Sequence, residues 1–328
     1  MSQRPEFTHL LVLPRLRVQN ANAISSPLTH GFPAMTAFLG LMWALERKTY
    51  AAGLQHLEFN AVGVISHGWQ ELTTPGRFQP SLLFRQMRNS LNKKGEVAAI
   101  IEEGRIHLDL SLVFALRIEN WEESRQEADL QAVAELVAGM RIAGGTVLPA
   151  SPATFRYRPW WADMRGDVWE ENFRKLRARL LPGSALVSRD DVIDHRLEQL
   201  KRHDNPNATR LDAWLSLARV DRRYEPEANQ GKGGWASSRQ SGSGWIVPIP
   251  VGYGALSSLY KSGSVTNARD AATPFRFVEC LYSAGEWIGA HRLRAPKDLL
   301  WYADSQTDQG LYRCRNDYCP PDGVADFS

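Results

Sequence analysis

An alternating stretch near the start of the chain restricts the fold more than any other feature. Over residues 8–19 the apolar positions alternate, with Leu10, Val12, Leu16 and Val18 on one side and Leu11, Leu13, Arg15, Arg17 and Gln19 on the other. A period of two is the period of a strand. Two arginines, Arg15 and Arg17, are then expected to leave the sheet side by side. After a polar turn, Pro33 sits where a first helical residue belongs, and Met35, Phe38, Leu39, Met42 and Leu45 recur at helical spacing. Residues 59–67 and 107–116 read as two more strands, the second with Leu108, Leu110, Leu112, Phe114 and Leu116 facing one way, and a polar insertion lies between them. A second helix over 127–141 carries Leu130, Val133, Ala134 and Val137 on one face and stops at Gly144-Gly145, before Thr146-Val147-Leu148. The order β-α-β-β-α-β is that of the split βαβ, or ferredoxin-like, plan, an α+β architecture that hosts RNA recognition across an open sheet among many other functions.

Beyond residue 156 the pattern changes. Helical spacing over 169–181, 191–203 and 211–220 predicts a helical insertion spanning 156–220. Residues 221–244 are rich in Gly, Ser, Gln and charge with hardly any aliphatic side chain, which predicts a mobile loop. Pro248 and Pro250 restrict the following apolar run, which opens at Trp245, to an irregular or edge strand. The tail to residue 328 reads as aromatic-rich strands and loops packing on the core. The expected division is a ferredoxin-like core over 1–155 with a thumb hairpin at about 68–106, the helical insertion, the loop, and a β-rich C-terminal part over 245–328.

A chain of 328 residues with 43% hydrophobic content can bury a substantial core. Cys280, Cys314 and Cys319 leave at least one thiol unpaired, which suits a reducing compartment. The opening residues show no cationic stretch followed by an apolar run, and residues 10–13 are too short to span a bilayer, so the cytoplasm is expected and no membrane partner. A net charge of +3 does not separate a nucleic-acid binder from a neutral enzyme. Arginine, however, greatly outnumbers lysine, and its planar fork suits phosphates and base edges.

Three segments can carry function. Residues 20–33 form a dense polar loop in which Asn20, Asn22, Ser25 and Ser26 offer donors and acceptors beside a helix N-terminus; the same residues also suit a plain turn and helix cap. Arg141 enters the Gly144-Gly145 turn, which reads either as a helix stop or as a phosphate cradle. Residues 85–95, with Arg85, Arg88, Lys93 and Lys94 and no carboxylate, suit a hairpin lying along a phosphate backbone, or a solvated face. For enzyme chemistry the chain is thin. It has no P-loop, no G-x-S-x-G and no H-E-x-x-H. Cys314 and Cys319 lack a second ligand pair, Gly252-Tyr253-Gly254 lacks the strand–turn–helix setting of a dinucleotide loop, and the histidines are scattered. Neither a metal nor a cofactor is expected.

Longer stretches carry a resemblance. Leu13-Pro14-Arg15-Leu16 running into residues 19–29 (Gln-Asn-Ala-Asn-Ala-Ile-Ser-Ser-Pro-Leu-Thr) resembles the second Csy subunit of type I-F CRISPR systems, the Cas-five-type protein of that group. Met140-Arg141 with Ala143-Gly144-Gly145, Leu180-Leu181-Pro182-Gly183, Val247-Pro248-Ile249-Pro250, Asn267-Ala268-Arg269-Asp270 and Leu299-Leu300-Trp301-Tyr302 extend the likeness along nearly the whole chain. The resemblance implies a core of the repeat-associated RNA-binding superfamily that clasps the repeat-derived 5′ handle of a guide crRNA, without catalysis. It implies a large Cas-eight-type subunit as partner and a thumb, matched by residues 84–95, that contacts a Cas-seven-type backbone subunit. Target DNA would be met only indirectly, since base pairing with the guide reads its sequence. On this basis Arg15, Asn20, Asn22, Ser25 and Ser26 are expected to fix handle nucleotides. Arg141, Arg269 and Arg276 would neutralise phosphates beside Gly144 and Gly145, with Arg85, Arg88, Lys93 and Arg105 contributing from the thumb. Two rivals stand beside this expectation: a repeat-cleaving Cas-five-type endoribonuclease using His30, and an adaptor that touches no RNA.

Overall fold

The computed structural model describes residues 4–76, 82–88, 91, 94–97, 99–119, 121–149, 157–203, 205–219, 222–226, 233–237, 245–268 and 270–320. The first half lays down strand β1 (His9–Asn22), helix α1 (Met35–Ala51), β2 (Glu58–Glu71), β3 (Arg105–Arg117), α2 (Glu123–Ala138) and β4 (Gly145–Val147). The strands stand side by side as β4, β1, β3, β2, each antiparallel to its neighbours. Helix α1 forms where the apolar spacing predicts it and buries Met35, Phe38, Leu39, Met42 and Leu45.

Strand β1 departs from the simple alternation. Its pairing with β3 slips between Leu13 and Leu16 and again between Val18 and Ala21, and Arg15 and Asn20 adopt φ of +54° and +55° at these points. Each bulge inserts a residue and turns the following side chains to the opposite face. Leu10 and Val12 therefore pack with Ala61, Ile65 and Val113 in one apolar layer. Val18 joins Leu11 and Leu13 in the other layer, beneath α1 and α2, and Leu16 packs against it. The division of β1 side chains expected from alternation is thus corrected after residue 13.

The second half is built into the same sheet. Strands β5 (Trp160–Asp163), β6 (Ser184–Ser188), β7 (Ile246–Ala255), β8 (Val278–Gly289), β9 (Leu300–Gln306) and β10 (Leu311–Asn316) join the first four and the short strand Arg141–Ile142 in one 11-stranded sheet. The helices α3 (Trp169–Arg179), α4 (Asp190–His203) and α5 (Arg210–Ala218) fall at the three predicted stretches. Phe173, Leu176 and Leu180 from α3 and its end cover the Leu10–Val12 side of the sheet. Beyond that cover, Arg17, Gly68, Gln70, His107 and Asp109 stay wholly or partly exposed, so only the distal part of this face is open. Among the described residues, no helix is long and apolar enough to cross a membrane.

Strand β2 gives one edge to β3 and divides the other. Val62 and Gly63 pair with Trp301 and Leu300 of β9, whereas Ile65 and Ser66 pair with Ala185 and Ser184 of β6. From β2 the pairing runs through β6, β8, β7, β10 and β9 back to β2, a ring of six strands. The close approach needs Gly63, since a Cβ there would lie 2.4 Å from Leu299 Cγ. Pro248 and Pro250 fit because, among the described residues, that part of β7 pairs with β8 alone, and β10 joins β7 at Gly252–Gly254. Within residues 221–244, expected as a loop, the described stretches Arg222–Glu225 and Gly234–Ser237 pair as two antiparallel strands, with Tyr224 and Trp235 supplying a cross-strand aromatic pair.

Trp301 locks this ring: it is 1% exposed and donates its indole N–H to the Leu186 carbonyl at 2.8 Å. Replacing Trp301 by Phe removes the donor and leaves space. The variant is expected to lose about 1–3 kcal/mol of stability, read as a lower urea midpoint with unchanged slope.

Candidate nucleic-acid interface

The polar loop after β1 spends its side chains on its own shape. Asn22 Nδ2 donates to the Ile24 carbonyl at 2.7 Å, and the Ile24 amide donates back to Asn22 Oδ1 at 3.1 Å. Ser25 Oγ and Ser26 Oγ lie 2.8 and 2.6 Å from Thr29 Oγ1, and Ser26 Oγ accepts from the amides of Leu28 and Thr29. These bonds tie Ile24–Ser26 to Thr29–His30 as a tight hairpin. Ser26 is only 8% exposed, so its hydroxyl shapes the loop from inside.

The turn at residues 141–145 separates two uses of glycine. Gly144 has φ +79° with open space where a Cβ would stand. A Cβ on Gly145 would instead sit 2.7 Å from the Ala21 amide nitrogen and 2.8 Å from the Gln19 carbonyl. Gly145 therefore lets β4 close on β1, while Gly144 presents bare backbone outward. The two segments are stitched together where the Asn22 amide donates to the Ala143 carbonyl at 2.9 Å. Arg141 is exposed and leans over the turn, with Nη1 3.4 Å from the Gly144 carbonyl.

Together these segments form one side of a groove of about 610 Å³ lined by Asn22, Ser25, Arg141 and Gly144. Helix α1 supplies its floor with Thr36, Ala37, Gly40 and Ala44. A glycine inside a helix costs about 1 kcal/mol relative to alanine, yet nothing lies within 4 Å of the position a Gly40 Cβ would take. The opposite wall comes from the far half of the chain. Tyr253 on β7 and Tyr312 on β10 are register partners with nearly parallel rings, 16° apart at 6.3 Å, and Trp43 of α1 stands 6.0 Å from Tyr312. Burial, with Cys314 and Tyr253 adjacent, pushes the Tyr312 phenol above its usual range, so its hydroxyl stays protonated. Among the lining residues there is no carboxylate.

These aromatics escape a reading of the sequence because only strand pairing unites Tyr253 with Tyr312. The one signal was Gly252-Tyr253-Gly254, unremarkable as a cofactor loop. Its first glycine serves packing, since a Cβ on Gly252 would stand 2.0 Å from the Tyr312 carbonyl oxygen.

The other expected site residues fall elsewhere. Arg15 points to the distal part of the sheet, 3.3 Å from Asp109 Oδ2, with its amide donating to Ser111 Oγ at 3.0 Å. The Asn20 amide donates to His107 Nδ1 at 3.2 Å, and Arg105 spans Glu103 at 2.8 Å and the Asn20 carbonyl at 3.3 Å. The end of β1 is thus a ridge with the groove on one side and this arginine-bearing patch on the other. Arg85 is exposed in the stretch expected as the thumb, where Thr73–Pro75 pairs with Leu82–Phe84 and Gln86–Arg88 with Ile100–Glu102, the last holding Arg88 in its backbone ladder. Arg276 packs against Gly310, two residues before Tyr312, and its buried Nε has no hydrogen-bond partner among the described residues. Lys93 and Arg269 lie outside the described residues. His30 is exposed and pairs with Glu71 at 2.9 Å, and Phe32 packs between Phe38 and Trp287. Among the described residues no group of three or more His, Cys, Asp or Glu side chains could hold a metal ion.

Gly145→Ala pushes a methyl group into the β1 backbone and is expected to lower stability by about 1–3 kcal/mol. Gly40→Ala places its methyl in open space and should leave the thermal midpoint unchanged or raise it. Thermal melts of the two variants side by side check the assignment of packing glycine and groove glycine.

The sequence comparisons cover most of the chain. A family model described as CRISPR-associated protein (Cas_Csy2) matches residues 11–314. The chain is 42% identical over 315 residues to the CRISPR-associated protein Csy2 of Pseudomonas aeruginosa (strain UCBPP-PA14), covering 93% of this chain and 94% of that protein. A match of this extent spans the polar loop, the glycine turn and both tyrosine strands, and on it the chain belongs to the Csy2 family of CRISPR-associated proteins.

Proposed function

We propose that this chain is a non-catalytic subunit of a type I-F CRISPR surveillance complex that holds the 5′ handle of the guide RNA, working in the cytoplasm beside a large Cas-eight-type subunit. One observation carries the reading. The loop after β1 and the Arg141–Gly144 turn, which are distant in sequence, converge on one groove that offers a cation, bare backbone and no carboxylate. A single strand is held by such a combination of fixed positive charge and close backbone approach. The strand order β4-β1-β3-β2 with α1 and α2 on one face supports a ferredoxin-like core of the repeat-associated RNA-binding type. The thumb, with Leu82, Leu83, Ile100 and Ile101 exposed, is the surface we assign to a Cas-seven-type backbone subunit.

Each phosphate contact on a single strand adds roughly 0.7 to the slope of log affinity against log salt. Arg141→Ala is therefore expected to flatten the slope for handle RNA by about 0.7. Arg15→Ala should change it less, because Asp109 already faces that guanidinium. An unaltered slope in Arg141→Ala would remove this arginine from the interface.

His30 favours a second reading, since an exposed imidazole beside Glu71 is a possible base for metal-free RNA cleavage. Labelled repeat RNA incubated with the pure protein without metal is expected to stay intact. Cleavage that disappears in His30→Ala would establish the nuclease reading instead.

A further inference from the structure

We infer that the far wall of the groove is a stacking platform for one RNA base, so that this subunit grips a nucleobase as well as the phosphate backbone. The inference rests on the RNA-binding reading above and assigns the second half of the chain a direct part in it. Tyr253 is 41% exposed and Trp43 is 37% exposed, although both rings belong to an aromatic cluster that includes Tyr312. Aromatic rings left uncovered at the side of a concave surface offer π-faces, and every base has a π-face to match. The facing wall supplies Arg141 and the open backbone of Gly144, which suit the phosphate of the same nucleotide. Between the walls, the empty space over Gly40 leaves room for the sugar to lie against the helix backbone. A protein helix is the competing occupant. The lining favours the nucleotide, because it pairs planar aromatic faces with a lone cation and has no carboxylate to meet a basic partner surface.

The experiment measures binding of fluorescent handle RNA to the full chain, co-purified with its large subunit, and to four variants whose melting points are checked first. Tyr253→Ala is expected to weaken binding roughly 5- to 150-fold with an unchanged salt slope, the loss of one stacked base without loss of a phosphate contact. Tyr253→Phe keeps the ring and is expected to bind like the wild type. Gly40→Glu, whose Cβ meets nothing within 4 Å, is expected to abolish binding by bringing negative charge to the floor, whereas Gly40→Ala has a small effect. The handle is also made with a single abasic site at each position in turn. At one position the penalty of Tyr253→Ala should vanish, which identifies the stacked base.

If the wild type binds the handle but Tyr253→Ala and Gly40→Glu bind equally well, or if the Tyr253 penalty persists at every abasic position, the platform is wrong and the RNA-binding reading stands. Loss of the large subunit from Gly40→Glu with RNA affinity intact would make the groove a protein-docking site and overturn the inference. If the wild type binds no handle RNA, the broader reading fails and the platform with it.

Discussion

The architecture depends on how the backbone of β2 is hydrogen-bonded along its outer edge. Two short strands share that edge, β9 at Val62–Gly63 and β6 at Ile65–Ser66, and they come from opposite ends of the second half. An unpaired strand edge invites association with other chains. Here the edge is closed from within, and the ring it completes carries β7 and β10 around to α1. Without that closure the Tyr253–Tyr312 pair would have no fixed relation to the Arg141 turn. The groove is therefore a product of the whole sheet rather than of the first half alone.

Three glycines make this geometry possible by letting backbones meet. Gly63 admits Leu299 where β2 divides, Gly145 admits the end of β1, and Gly252 admits the carbonyl of Tyr312. Each would place a Cβ well inside the contact distance of its neighbour. Gly40 and Gly144 are of the other kind, with nothing within 4 Å of the missing Cβ. The first kind closes contacts between backbones; of the second, Gly144 is held by its left-handed φ of +79°, and Gly40 leaves bare helix backbone on the groove floor.

Much of the first half was legible because its elements are long and strongly periodic: α1, β3 and α2 fall within a few residues of the stretches their apolar spacing indicates. The faces of β1 were not, because periodicity cannot register a bulge, and Arg15 and Asn20 turn the strand at +54° and +55°. The candidate site was half legible. Asn22, Ser25, Arg141 and Gly144 do line one groove, but Asn22 and Ser25 act by fixing the loop, as turn chemistry alone would suggest. Arg15 and Arg105, equally basic in the sequence, are each set against a carboxylate, Asp109 and Glu103. The pairing arises across strands or two residues along a bend, and a count of charges does not reveal it.

The same kind of pairing recurs elsewhere among the described residues. Arg117, Arg165, Arg174 and Arg189 are matched with Glu58, Asp163, Glu171 and Asp191, each at 2.9 Å or less. Charges so paired contribute little field at a distance, and salt screens the remainder within about 10 Å at 0.1 M. Long-range attraction from these four arginines is correspondingly weak. Arg141, exposed and with no carboxylate in the lining of its groove, would on the proposed reading act locally, on a phosphate brought within a few ångströms of it. On that reading the cation would set where the backbone lies, and the rings, whose stacking depends little on salt, would decide whether the strand stays.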